Sequence, residues 1–205
     1  MKIINSSHKI ENPPEYSTLL KAIELAGRTC YKSEDKITDT SAEDFIRMLL
    51  KRGHESVIEH EKLSIRFICD RGVSHELVRH RLCSFSQEST RYCNYSGEKF
   101  GNELTFIKPS FWKIQSQQYV TWHSAIRKAE DSYLTLLKEG ASPQEARSVL
   151  PNSIKTELVI TANLREWRLV LDQRTSPSAH PDMRALMLPL LEELKEKYPV
   201  FFEDL

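Results

Sequence analysis

The sequence predicts an α+β fold in which a small, mostly antiparallel sheet is flanked by several helices, one of them long and amphipathic. Strand patterns at residues 63–69 and 157–161 stand among a larger number of helical patterns. The two kinds of pattern do not alternate regularly, as strands and helices do in a doubly wound parallel sheet. With 205 residues and no linker-like tract, we expect a single domain over residues 1–205.

The composition bounds the class of function. The chain has 29 basic and 29 acidic residues, a balance that lacks the excess positive charge typical of proteins that bind nucleic-acid polymers. Its four cysteines form neither a C-x-x-C pair nor the spacing of a disulfide framework. We find no apolar leader and no apolar run of about 18 residues. We therefore expect a soluble, cytoplasmic protein that binds neither a membrane nor a nucleic-acid polymer.

Helix boundaries in the first half follow from capping and stop residues. Pro14 can open a helix, because proline is tolerated in the first turn and apolar residues follow at helical spacing. Ser41 and Asp44, three positions apart, resemble a capping box that begins a second helix, and Gly53 is a natural stop for it.

The remaining elements are predicted from periodicity, turn residues and caps. In chain order they are a strand over residues 63–69 with one buried face, a turn at 70–72, a short helix over 73–81, a long amphipathic helix over about 113–140, a short helix that Ser142, Pro143 and Glu145 begin, a strand over 157–161, a helix that Asn163 caps, and a last helix over 181–197, bent at Pro189.

The densest group of chemically competent side chains lies at residues 79–92. The segment begins Arg-His-Arg, continues for seven residues to Ser89, and reaches Arg91 two positions later. Guanidinium groups make paired hydrogen bonds to phosphate and carbonyl oxygens, and nearby hydroxyl and amide groups can add others. The pattern therefore predicts a site for a dinucleotide cofactor and a nucleotide substrate. For the triplet alone, an internal salt bridge between Glu76 and Arg79 on a solvated helix is the ordinary alternative.

Two further blocks flank this segment. Upstream, residues 53–60 contain two histidines and two glutamates, but their spacing matches neither H-E-x-x-H nor its inverse, which argues against a metal site. Downstream, Arg147 precedes a Leu-Pro pair, and Asn163 stands eleven residues before Arg174. Alternative roles stay open, because Asn163 is an ideal N-cap and a cation near a helix end favours the helix dipole.

These blocks, in this order over residues 53–174, resemble the flavin-dependent thymidylate synthases. The resemblance implies reductive methylation of dUMP to dTMP, with 5,10-methylenetetrahydrofolate as the carbon donor and NADPH-reduced FAD as the source of hydride. It implies a homotetramer whose sites are shared between subunits. Arg174 is implied to be catalytic, stabilising negative charge on the uracil as carbon 5 attacks. His54 is implied to lie near the region where folate and nicotinamide stack.

The resemblance also implies binding roles for individual residues. Those implied to contact FAD are Ser56, Arg79, His80, Arg81, Gln87, Asn163 and Arg165. Those implied to contact dUMP are Glu76, Arg79, Gln87, Glu88, Ser89, Thr90, Arg91, Arg147 and Arg174. No metal is implied.

The chain departs from the family pattern at three places. Residues 86–88 read Ser-Gln-Glu where Asn-Glu-Gln is common, Glu76 replaces a common glutamine, and Leu169 replaces a polar residue that can touch the flavin. We leave Leu169 out of the site, because it offers no polar contact. Since no cysteine has a recognisable base, we expect chemistry without a cysteine nucleophile. A flavoprotein reductase without methyl transfer and a non-catalytic nucleotide- or RNA-binding module remain alternatives.

Overall fold

A computed structural model describes residues 1–97 and 101–205 and confirms the α+β class. The strands are β1 (Lys2–Ile4), β2 (Ser7–Glu11), β3 (Lys62–Asp70), β4 (Ser84–Gln87), β5 (Thr105–Ile107) and β6 (Lys155–Asn163). The helices are α1 (Tyr16–Thr29), α2 (Ser41–Lys51), α3 (Arg71–Leu77), α4 (Gln117–Lys138), α5 (Pro143–Ala146), α6 (Leu164–Thr175), α7 (Pro181–Lys197) and α8 (Pro199–Phe202). Short 3-10 helices cover Glu34–Lys36, Glu55–His60 and Arg147–Val149.

An antiparallel sheet with the order β2-β3-β6-β4 forms the centre of the molecule, whereas β1 and β5 pair in parallel. Alternate residues of β3 and β6 face the helices, and the buried pair Ile65 and Ile160 stand opposite each other. They pack with buried residues of α1, α6 and α7, including Trp167, into one hydrophobic cluster. Fully burying one such aliphatic side chain contributes about 1.5–3 kcal/mol. The sheet face towards the helices is therefore the main core.

A second hydrophobic cluster lies between α4 and the parallel strand pair. Ile126 and Tyr133 of α4 are buried against Leu104 and Phe106 around β5. The predicted long helix is confirmed, but it begins at Gln117 rather than near residue 113. Its start is fixed by Ser116, whose hydroxyl oxygen accepts a hydrogen bond from the Tyr119 backbone N–H.

Both long central strands continue directly into a helix. At the end of β3 the Asp70 carboxylate accepts from the backbone N–H of Val73, 2.7 Å away, and at the end of β6 the Asn163 side chain accepts from the N–H of Glu166, 2.8 Å away. The predicted Asn163 cap is confirmed. The turn predicted at 70–72 is wrong, because the Asp70 cap lets α3 begin at Arg71 without an intervening loop.

The helix that follows β3 is also shorter than predicted. It ends at Leu77 instead of residue 81, and the chain then turns so that His80 enters the interior, only 7% exposed. The Arg-His-Arg triplet therefore lies beyond the helix, in a turn that precedes β4. The triplet's three side chains consequently do not share one helical face with Glu76.

Ser41 does not cap α2 as predicted. Thr40 occupies the N-cap position, and the Ser41 hydroxyl donates to the buried Glu24 carboxylate at 2.8 Å. The stop at Gly53 is confirmed, since α2 ends at Lys51 and Gly53 has a φ of +73°, which favours glycine.

The capping box of Ser142 and Glu145 at the start of α5 is confirmed, as are the bounds of the last predicted helix, α7. Among the described residues, no helix combines the length and apolar character needed to cross a membrane.

Candidate functional site

Arg174, near the end of α6, is held by three acceptor groups of two residues in the α3 region and the turn after it. Its Nε donates to His80 Nε2 at 3.0 Å. Its two terminal nitrogens donate to the Glu76 carboxylate at 3.0 Å and to the Glu76 backbone carbonyl at 3.1 Å. The Arg174 side chain is 18% exposed, so the guanidinium is fixed in a largely buried setting. Three residues predicted for the site thus meet at one place, although 94 or more positions separate Arg174 from its partners.

His80 joins this group to the first turn of α6. Its Nδ1 lies 3.7 Å from an oxygen of the Glu166 carboxylate, and both side chains are almost fully buried. Burial and the neighbouring Arg174 charge lower the pKa of His80 below its ordinary value. Burial raises the pKa of Glu166. Sequence reasoning placed Glu166 only in a helix start, because the contact with His80 joins residues far apart in the chain.

The arginines of the 79–92 segment are held differently. Arg79, Arg81 and Arg91 are exposed, and within residues 1–97 and 101–205 the structure gives them no ion pair. The Arg91 guanidinium lies 5.4 Å from the centre of the Tyr92 ring. The alternative of a Glu76–Arg79 salt bridge does not form, because Glu76 bonds to Arg174 instead. These exposed guanidinium groups are therefore available to a ligand or another chain.

An open cavity of about 650 Å³ lies beside α6. Asn163 and Arg165, both predicted for the site, line it, and Arg165 donates to Glu59 at 2.6 Å. The cavity also has an apolar part, because Leu82 and Leu169 line it and are 77% and 45% exposed. Leaving Leu169 out of the site was based on its lack of polar atoms, and the structure instead places it in the cavity wall.

A second cavity, of about 450 Å³, contains Arg147. The Arg147 guanidinium approaches the hydroxyl of the buried Thr90 at 3.4 Å, which joins two residues predicted to contact the nucleotide. Arg71 and His75 of α3 line the same cavity. Two arginines and a histidine thus line a space open to an anion, although sequence reasoning singled out only Arg147 of the three.

Gln87 and Glu88 are engaged within the chain. The Gln87 amide nitrogen donates to Ser74 at 2.9 Å and to Thr156 at 3.2 Å. The Glu88 carboxylate accepts from Tyr95 at 2.8 Å and from Lys155 at 2.6 Å. Burial, followed by the nearby Glu88 charge, raises the pKa of Tyr95. In this structure the unusual Glu88 has partners of its own, which tie the segment to β6.

Three other predicted site residues lie apart from the group around Arg174. Ser56 and His54 are exposed at the 3-10 helix Glu55–His60, and the Ser89 hydroxyl accepts from the Arg91 backbone N–H at 3.3 Å. Across the described part of the chain, no three His, Cys, Asp or Glu side chains are grouped so that they could hold a metal ion.

Among the described residues, the cysteine nearest to the site has no activating neighbour. Cys83 Sγ lies 3.9 Å from the Glu166 carboxylate. Burial and the negative charge of Glu166 raise the pKa of the Cys83 thiol to about 12. A thiol with that pKa stays protonated at neutral pH, so it is a poor nucleophile.

Comparison with known proteins agrees with the sequence blocks. The family model described as "Thymidylate synthase complementing protein" matches residues 15–200. The chain belongs to this family. A protein of Geobacter sulfurreducens named flavin-dependent thymidylate synthase is 31% identical over 190 residues, which cover 89% of this chain and 80% of the relative. A Corynebacterium efficiens protein of the same name is 34% identical over 196 residues, covering 89% and 78%.

A third relative, from Saccharolobus solfataricus and also named flavin-dependent thymidylate synthase, is 37% identical over 172 residues, covering 83% of this chain and 64% of the relative. The resemblance predicted from the sequence is therefore confirmed. The family match spans both the 79–92 segment and α6, so it includes the residues that meet at Arg174.

Proposed function

We propose that this chain is a flavin-dependent thymidylate synthase that methylates dUMP to dTMP, with 5,10-methylenetetrahydrofolate as the carbon donor, FAD as cofactor and NADPH as reductant. Family membership supports the reaction. The observation that carries the assignment within the chain is the fixed guanidinium of Arg174 between His80 and Glu76. The reductase and the non-catalytic binding module are not favoured, because the relatives are named as thymidylate synthases.

We propose that the cavity beside α6 holds the ring of a flavin, although acidic side chains also line it (Glu55, Glu59, Glu166 and Asp172). Its volume of about 650 Å³ is in the range of small-molecule sites, which are roughly 300–1,000 Å³. Leu82 and Leu169 offer apolar surface suited to an aromatic ring, whereas Asn163 and Arg165 offer polar groups suited to carbonyl or phosphate oxygens. FAD bound by the enzyme supplies the redox chemistry. We propose that Asn163 and Arg165 hold it together with Ser56, Gln87 and the Arg-His-Arg triplet.

We propose that Arg174 stabilises negative charge on the uracil ring as carbon 5 attacks the one-carbon unit. A guanidinium has five N–H donors, and among the described residues three are directed to His80 and Glu76. Two donors are left for a ligand. Because these contacts fix the charge before substrate arrives, little reorganisation is needed when charge develops. The chain then needs no covalent attack by a thiol, which agrees with the protonated state of Cys83.

Binding of the nucleotide is assigned to the cationic groups outside this cluster. Arg147 and Thr90 border a cavity with Arg71 and His75, and Arg91 is exposed. Arginine suits phosphate because its planar fork makes paired, charge-assisted hydrogen bonds. We propose that these residues, with Ser89, bind dUMP, and that Glu76, Arg79, Gln87 and Glu88 border it.

The assembly is also part of the proposal. The cavity beside α6 and the Arg147 cavity have no lining residue in common, and Arg79 and Arg81 are exposed. A homotetramer in which neighbouring chains complete each site would bring such separated groups together. We further propose that each chain is one domain and that the exposed His54 borders the folate and nicotinamide region.

A dTMP-formation assay tests this function. The purified chain is supplied with dUMP, methylenetetrahydrofolate, FAD and NADPH, and each component is omitted in turn as a control. We expect dTMP only in the complete mixture, together with saturable FAD binding in a spectroscopic titration. FAD reduction without dTMP would instead support a reductase, and nucleotide binding without FAD binding would support a non-catalytic module.

A further inference from the structure

Within the part of the chain that the structure describes, the Glu166 carboxylate is buried at the site without a strong partner of its own. Its side chain is 5% exposed, and among the described residues no lysine or arginine lies within ion-pair distance of it. Its neighbours are His80 Nδ1 at 3.7 Å and Cys83 Sγ at 3.9 Å. Isolated charges are costly to bury, so this placement requires an explanation beyond packing.

The hydrogen bonds of His80 define which ring nitrogen carries the proton. Arg174 Nε approaches His80 Nε2 at 3.0 Å, and a guanidinium offers only donors. Nε2 must therefore be the unprotonated acceptor, which places the proton of the neutral ring on Nδ1. That nitrogen faces Glu166. The neutral ring agrees with the burial that lowers the pKa of His80.

The negative charge of Glu166 favours this arrangement. At 3.7 Å the separation between Nδ1 and the carboxylate oxygen exceeds a hydrogen bond, so the interaction is electrostatic attraction across a short gap. In an almost fully buried setting such attraction is stronger than in water. If the proton moved to Nε2, two donors would face each other and Arg174 would lose its bond to the ring. The state of His80 and the orientation of Arg174 are thus linked.

We propose that Glu166 is a positioning residue, whose charge keeps the His80 proton on Nδ1 and thereby holds Arg174 in the orientation that it has at the site. Glu166 does not touch the substrate in this role. The proposal rests on the proposed function only in that Arg174 and His80 serve the reaction. The protonation pattern itself is a property of the chain that can be measured without substrate.

The decisive variant is Glu166→Gln, which keeps the side-chain volume and removes the charge. In the full chain labelled with ¹⁵N in the histidine rings, before FAD or dUMP is added, we expect wild-type His80 to show a protonated Nδ1 and an unprotonated Nε2. The variant should show an increased population with the proton on Nε2. A His80→Gln variant assigns the signals, and thermal unfolding verifies that each protein is folded.

The kinetic readout follows from the role of Arg174. We expect Glu166→Gln to lower kcat by about tenfold, by analogy with the loss of carboxylates that orient metal-bound histidines, with a smaller change in the KM for dUMP. Glu166→Asp keeps the charge at a longer distance and should recover part of both effects. Cys83→Ala is the matched control, because it removes the other neighbour of the same carboxylate and should leave the His80 signals unchanged.

Two results would overturn the proposal. An unchanged His80 proton position in Glu166→Gln would show that the charge does not control it. A changed proton position with an unchanged kcat would show that Arg174 does not depend on it. Failure of the wild-type chain to form dTMP would count against the proposed function instead, and the ring signals would still test the role of Glu166.

Discussion

Two regions of the site differ in how the chain holds their cationic groups. Arg174 makes three hydrogen bonds within the chain and is largely buried, whereas Arg91 is exposed beside Tyr92. Ordering a free arginine side chain costs up to about 2 kcal/mol of conformational entropy. In Arg174 that cost is met during folding, which suits the proposed role at a developing charge. In Arg91 the cost would be met on binding, which suits the proposed contribution to affinity.

The largest loss of activity should follow from removing the largely buried guanidinium of Arg174. We expect Arg174→Ala to lower kcat by about 10²–10³, by analogy with the loss of one preorganised donor to a developing charge. The measurement is dTMP formation at saturating dUMP, with FAD occupancy determined from the flavin spectrum of each protein. Normal turnover of Arg174→Ala with FAD bound would contradict the assigned role.

Removal of the exposed Arg91 side chain should mainly weaken the binding of dUMP. We expect Arg91→Ala to raise the KM for dUMP by about 10–100-fold, because a hydrogen bond to a charged group contributes about 1.5–3 kcal/mol and 1.36 kcal/mol is a factor of ten. The change in kcat should be smaller, because such binding acts equally on the ground and transition states. Arg127→Ala, an exposed arginine of α4, is the control. A loss confined to kcat would mean that Arg91, like Arg174, acts in the chemical step rather than in binding.

A milder change at Glu76, a partner of Arg174, tests whether a hydrogen bond or a charge holds the guanidinium. In Glu76→Gln an amide oxygen can still accept from Arg174, and the bond to the Glu76 backbone carbonyl remains. We expect kcat to fall by no more than about fivefold, the difference between a charged and a neutral hydrogen bond. Glu76→Ala, measured in the same assay, should be clearly worse. Equal losses in the two variants would mean that the charge, rather than the hydrogen bond, holds Arg174.

The smallest effect is expected at Cys83. Its pKa of about 12 keeps the thiol protonated at neutral pH, so Cys83→Ser should retain dTMP formation close to that of the wild-type chain. The measurement is the steady-state rate of dTMP formation by the folded variant, after its binding of FAD and dUMP has been verified. Abolished turnover with both ligands still bound would revive a route through a thiolate.

Patterns of residues close together in the sequence predicted most of the helices and strands. They did not predict contacts between residues far apart in the chain. The start of α5 depends on residues three positions apart, so the Ser142 capping box was readable in the sequence. Ser41 and Asp44 present the same pattern, but the Ser41 hydroxyl bonds to Glu24, seventeen residues earlier. A motif with that spacing cannot reveal a partner from another helix.

The candidate site follows the same division. The family resemblance named Glu76 and His80 in one region of the chain and Arg174 in another, but nothing in the sequence predicted that Arg174 bonds to both. Glu166 was not singled out because its contact with His80 joins residues far apart in the chain. Leu169 was left out because it has no polar atoms, although it lines the cavity beside α6. Burial and contacts between residues far apart in the chain produce these placements, and both arise only on folding.

The direct passage from β6 into α6 has a geometric consequence. Asn163 ends the strand and caps the helix, and Arg174 stands eleven residues later on the same helix. Each residue of an α-helix turns the following chain by about 100° and advances it about 1.5 Å. One residue inserted between Asn163 and Arg174 would therefore rotate the guanidinium away from His80, with no loop to absorb the error. The length of this segment is as much a part of the site as the identity of its residues.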